Sequence, residues 1–179
     1  MKSVLIIAAL VLYSVSYAQS FTLKSNELGG QASIQQVNND FGCFGKNISP
    51  QLFWDNAPAD TKSFAVTIYD ENAPTGSGWW HWIIFNIDKG ISELKADAGN
   101  VLNHLAPAES VQSKTDFGLP GYGGPCPPND NSIHKYIITI YALKKEKLGL
   151  SAFDSPALVG FYLNQNVIEK ASLVFYYRR

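Results

Sequence analysis

Four side chains of this chain stand out for the chemistry they can perform: Asp70, His81, His134 and Tyr136. A carboxylate, two imidazoles and a phenol together supply hydrogen-bond donors, acceptors and one negative charge. Two histidines and one aspartate could also ligate a transition metal. Taken singly, each has an ordinary structural explanation. Asp70 closes a strand and could cap its own loop, His81 could be a satisfied core histidine, His134 a loop residue and Tyr136 plain core. What sets them apart is where they fall: all four lie at or near the ends of aromatic strands, beside two loops rich in Gly, Pro, Asn and Asp, 70–76 and 121–131. Composition alone names no ligand.

The elements that must position them are strands. Ser63–Tyr69 (SFAVTIY) alternates Phe64, Val66 and Ile68 against Ala65, Thr67 and Tyr69, and delivers Asp70 at its end. Trp79–Asn86 (WWHWIIFN) reads as a second strand with Trp79, His81, Ile83 and Phe85 on one face. Lys135–Leu143 (KYIITIYAL) is a third, and the shared parity of His134 and Tyr136 points both to one face. Ala171–Tyr177 is a fourth; Phe21–Lys24 and Gln51–Trp54 are weaker candidates. Helix signal is confined to Ser155–Leu163, with Ser155 as cap and Pro156 in first position, and to Gln165–Lys170. Residues 95–115 carry little pattern and read as a surface loop with one helical turn. The fold expected is mainly β: an antiparallel β-sandwich with one or two short C-terminal helices.

Composition narrows the rest. Lys2 followed by the apolar run Val4–Tyr13 and the small residues Ser16 and Ala18 has the layout of a secretory signal cleaved after Ala18. That apolar core is short for a bilayer span. The expected mature chain is therefore one domain, residues 19–179, periplasmic or secreted, with no integral membrane segment. A net charge of −1 and 16% charged residues offer no nucleic-acid-binding surface. The two cysteines, Cys43 and Cys126, would pair as a disulfide in an oxidising compartment; the alternative is two separate buried thiols.

Three runs carry a resemblance to a known family. Tyr69-Asp70-Glu71-Asn72-Ala73-Pro74-Thr75-Gly76-Ser77-Gly78-Trp79-Trp80-His81-Trp82 is similar to the first signature of the phosphatidylethanolamine-binding proteins, in particular their bacterial, Raf-kinase-inhibitor-like branch. Asp116-Phe117-Gly118 through Gly121-Tyr122-Gly123-Gly124-Pro125-Cys126-Pro127-Pro128, followed by His134-Lys135-Tyr136, resembles the second. Asn47-Ile48-Ser49-Pro50 with Trp54 resembles the family's N-terminal segment. The resemblance implies a β-sandwich with a small anion pocket at one end of the large sheet. By motif position it makes Asp70, His81, His134 and Tyr136 the polar groups of that pocket. Pro74 and Trp79 become its wall, Pro127 and Pro128 the opposite loop, and Cys126 the donor of a backbone N–H.

Two positions depart from the family's pattern: Asn72 stands where a second acid is usual, with Glu71 in place of proline, and Lys135 stands where an arginine is usual. Fewer acids should repel an anion less, and a lysine lacks the bidentate fork of arginine. The binding mode expected is a phosphate oxygen accepting from His81, Tyr136 and loop N–H groups, with Asp70 accepting a proton from an imidazole. The ligand implied is a small phosphorylated anion or a phospholipid head group, with no cofactor and no metal. The alternative is an inhibitor or modulator of a protein partner, a kinase or a protease. A metal-dependent hydrolase built on Asp70, His81 and His134 is a third reading. Against an enzyme, the chain has neither a Gly-x-Ser-x-Gly elbow nor a His-Glu-x-x-His helix.

Overall fold

The structure, a computed structural model, describes residues 19–179. The expected signal segment, 1–18, lies outside the described residues. Eight strands and one helix follow in the order β1 (Thr22–Lys24), β2 (Leu52–Asp55), β3 (Ser63–Asp70), β4 (Trp79–Asp88), β5 (Glu93–Leu94), β6 (Val111–Gln112), β7 (His134–Leu143), α1 (Pro156–Asn166) and β8 (Val167–Tyr177). A three-stranded sheet, β1-β2-β5, faces a five-stranded one, β6-β4-β3-β7-β8, and every pairing between these strands is antiparallel. This is the two-sheet architecture expected from the strand pattern.

The large sheet is buried on both faces, which explains why β3 and β4 read as almost unbroken apolar runs. On one face Phe64, Val66, Ile68, Trp82, Ile84, Ile138 and Ile140 meet Leu23, Leu52 and Trp54 of the small sheet. On the other, Ala65, Ile83, Phe85 and Tyr141 are covered by Leu148 and by Val159 and Leu163 of α1. Ser155 caps that helix, its hydroxyl accepting from the Leu158 N–H, with Pro156 in the first turn.

Three local expectations are corrected. Gln165–Lys170 is not a second helix: α1 stops at Asn166 and β8 begins at Val167. Pairing with β7 from Leu143↔Val167 to His134↔Tyr177 satisfies the backbone there, and it outweighs a weak helical propensity. Nor do Trp79, His81, Ile83 and Phe85 share a face. Tyr69 pairs with Trp80 and Ile68 with Trp82, leaving His81 as the extra residue of a β-bulge. The bulge resets the alternation, so Trp82 joins the inter-sheet core while Ile83 and Phe85 turn to the helix side. In 95–115 there are turns rather than a helical turn; Ala98 is buried in the inter-sheet core, and Val111–Gln112 pair with Ile84 and Phe85 as β6.

Cys43 and Cys126 are joined as a disulfide, with Cα atoms 6.0 Å apart and a sequence separation of 83. It ties the 39–45 loop to the loop that precedes β7. Arg179 fastens the same segment, donating to the carbonyls of Phe41 and Gly42. Replacing both cysteines with serine should lower unfolding free energy by about 4 kcal/mol, the chain entropy of a loop this long. Urea denaturation of the two forms checks this. An unchanged midpoint, or two reactive thiols in the unreduced denatured wild type, would show that the bridge does not form.

Candidate functional site

Asp70 ends β3, and its neighbours across the sheet are Trp79 on β4 and Tyr136 on β7. These two registers set Trp79, Asp70 and Tyr136 in one row at the edge of the large sheet. His134 is two residues before Tyr136 on the same face, and the bulge swings His81 into the same space. Above the row, the 71–78 and 115–128 loops and Phe41 enclose a cavity of about 250 Å³. All nine residues expected at a ligand site line it: Asp70, Pro74, Trp79, His81, Cys126, Pro127, Pro128, His134 and Tyr136. Phe41, Ala73, Thr75 and Phe117 line it too and were not foreseen. Phe117 lay inside a quoted signature, so its motif could have flagged it. Phe41 had no signal beyond standing two residues before Cys43.

The loops are shaped for close approach. Gly78 has a φ of +67°, and a Cβ there would run into the Tyr69 hydroxyl and the Asp70 carbonyl. A side chain at Gly124 would strike the carbonyl of Gln36. Asn72 holds the corner: its N–H donates to Asp70 Oδ1 at 2.9 Å, while its own Oδ1 accepts from the Lys135 N–H at 2.9 Å. The asparagine that replaces an acid thus works as a strut between the β3 corner and β7. Lys135 pairs with Glu71 at 2.5 Å on the half-exposed rim, where such a pair adds little to stability.

Within the cavity the polar groups divide into two sets. His134 Nδ1 donates to Asp70 Oδ2 at 2.7 Å, and both side chains are 4% exposed. Asp70 is therefore satisfied by the Asn72 N–H and the His134 ring, as a buried carboxylate must be. His81 is held separately: its Nδ1 lies 2.7 Å from the Gly123 carbonyl, which can only accept, so Nδ1 carries the proton. The Asp70 proton partner is thus His134, not His81. Burial pushes the His81 imidazole down to about 4, against the opposing pull of the Gly123 carbonyl and Asp70. At neutral pH His81 is uncharged, and with its Nδ1–H committed to Gly123 it is not the donor to a phosphate oxygen that was expected.

Two buried donors lack partners among the protein atoms: Trp79 Nε1 and the Tyr136 hydroxyl. Burial first, then the negative charge of Asp70 and a contact with its carboxylate too poor in geometry to make a hydrogen bond, drive the Tyr136 phenol far above its ordinary range, so it stays protonated and able to donate. Aromatic rings pack the walls. His81 meets Tyr136 at 5.1 Å and Phe117 at 5.3 Å between ring centres, Trp79 meets Phe117 at 5.4 Å, and Tyr136 stacks on Phe175 at 5.0 Å. Thr75, the only aliphatic hydroxyl among the lining residues, donates to the Gly78 carbonyl.

Fold and site together define a two-sheet antiparallel β protein with a small polar-floored, aromatic-walled pocket at one end of its larger sheet. Comparison with known proteins agrees. The family model for phosphatidylethanolamine-binding protein matches residues 24–178, and the chain belongs to that family. It is 43% identical to the UPF0098 protein YbcL of Escherichia coli (strain K12) over 176 residues, 97% of this chain and 96% of that protein. It is 42% identical to the UPF0098 protein YbhB of the same organism over 153 residues, 84% of this chain and 96% of that one. The crystal structure of E. coli YbcL, described as a new member of the mammalian PEBP family, superposes with a TM-score of 0.87 at 45% identity, covering 89% of this chain and 98% of that one.

The buried neutral histidine makes a stability prediction. An unfolded imidazole takes up a proton below about pH 6.5, whereas His81 in the folded chain does so only near 4. Its contribution is therefore complete above pH 6.5 and is lost as pH falls towards 4, about 3 kcal/mol in all. Urea unfolding at pH 7 and pH 4.5 should show a smaller acid loss in His81→Gln than in wild type. Equal losses in the two proteins would mean that His81 is already charged when folded.

Proposed function

We propose that this pocket binds a phosphate-type oxyanion, either a small phosphorylated compound or the head group of a phospholipid. The protein that carries it is read as an exported one, resident in the periplasm or secreted. The observation that carries the proposal is the pair of unpartnered buried donors, Trp79 Nε1 and Tyr136 Oη, on the walls of one cavity. Buried donors left without acceptors cost about 1–3 kcal/mol each, which an oxygen-rich ligand would recover. The cavity volume of about 250 Å³ suits a head group and excludes acyl chains.

Binding, rather than turnover, is the reading favoured. The hydroxyl of Thr75 is spent on the Gly78 carbonyl and the Asp70–His134 pair has no nucleophile attached to it. Neither a cofactor nor a metal is invoked. Modulation of a protein partner is the second reading; the exposed ring of Phe41 on the pocket wall favours it, because a phosphorylated segment could rest on it.

Calorimetry with O-phosphorylethanolamine and inorganic phosphate at pH 6 should give one site per chain. Tyr136→Phe should weaken both by about tenfold, the value of one lost hydrogen bond. The proposal fails if neither compound binds the wild type, or if Tyr136→Phe binds them as well as wild type does.

A further inference from the structure

The charge of the pocket is at odds with a doubly charged ligand. None of the described residues lining it is lysine or arginine, and its one acid, Asp70, is buried. A phosphate dianion would enter a low-dielectric space already holding a carboxylate, with neutral donors as its only recompense. The lining offers a different complement. Trp79 Nε1–H and Tyr136 Oη–H are two donors in want of acceptors. His81 contributes the reverse: with its Nδ1–H spent on the Gly123 carbonyl, its Nε2 carries a lone pair and meets no protein donor.

We propose, resting on the function proposed above, that the pocket selects the singly protonated form of an oxyacid, R–PO₃H⁻, whose P–O–H donates to His81 Nε2 while its other oxygens accept from Trp79 and Tyr136. Its ligand class is then phosphomonoesters and phosphonates as monoanions, which narrows the function proposed above to its small phosphorylated compounds and leaves out diester phospholipid head groups. Phosphodiesters lack the proton and dianions carry one charge too many. The groups facing His81 support this assignment. From β3 comes Asp70, from β7 His134 and Tyr136, and from the 113–128 loop Asp116 acts at longer range. His134 is already committed to Asp70, so neither group is free to neutralise a second ligand charge. Phe117, Phe41 and Pro74 leave the mouth apolar, which suits a small organic R group.

Affinity should then follow the ligand's own ionisation. His81 is neutral above about pH 4.5 and adds no break of its own there. Binding should be flat with pH until the ligand's second ionisation and fall by about tenfold per pH unit beyond it. Calorimetry with methylphosphonate and with difluoromethylphosphonate, whose second ionisation lies lower, should show the break moving with the ligand. At pH 5.5 dimethyl phosphate should bind at least about tenfold more weakly than methylphosphonate, since it leaves the His81 lone pair unmatched. Nitrogen-15 spectra of labelled histidine should show His81 Nε2 accepting a hydrogen bond in the methylphosphonate complex.

A break that stays at one pH for both phosphonates would overturn the selection, as would dimethyl phosphate or sulfate binding as tightly as methylphosphonate. Either result leaves an anion site in place. If no phosphorus oxyacid binds at any pH, this inference and the proposed function fall together.

Discussion

The pocket exists because two strand registers coincide at Asp70. Its partner on one side is Trp79 and on the other Tyr136, so three side chains from three strands stand in a row with no loop deciding their spacing. Sheet hydrogen bonds fix neighbouring strands within a few tenths of an ångström, a precision that loops do not match. A slip of one residue in either pairing would send Trp79 or Tyr136 to the helix side of the sheet. Both faces of these strands are buried, so such a slip would also disrupt both clusters of the core. Stability of the fold and placement of the site are therefore enforced by the same contacts.

Around that row the site separates charge from hydrogen bonding. Asp70 is closed off by Asn72 and His134, and it works as an internal anchor rather than as an open ligand contact. His81 and Tyr136 are neutral and buried, Trp79 is half-buried with its Nε1 shut away, and these are the groups with capacity left over. Aromatic packing from Phe117 and Phe175 holds these rings in place before any ligand arrives. Pre-ordered neutral groups spare a ligand the cost of ordering them. The disulfide and Arg179 extend that order to the outer wall, where Phe41 would otherwise hang from a loop of its own.

Much of this was legible in the residues. The strands around 63–70, 79–88 and 134–143 were clear from β-branched and aromatic runs, and parity placed His134 with Tyr136. The motif resemblance named nine of the thirteen residues that line the cavity. Its limits were local. A bulge leaves no mark in alternation until the partner strand is known, so the face of Ile83 and Phe85 was misread. Gln165–Lys170 looked helical because its pairing partner, Tyr141 to Leu143, lies more than twenty residues upstream.

By itself the sequence determined the element types, the motif residues and the presence of one acid, two imidazoles and a phenol near strand ends. Those depend on periodicity and residue chemistry, which are local. Only the tertiary structure decided which imidazole takes Asp70, which one is left neutral beneath the aromatic wall, and which two donors remain unpaired. Hydrogen-bond partnership and desolvation depend on what approaches from distant parts of the chain. No window of sequence around His81 contains Gly123, Tyr136 and Phe117 together, and it is their convergence that sets what His81 can do.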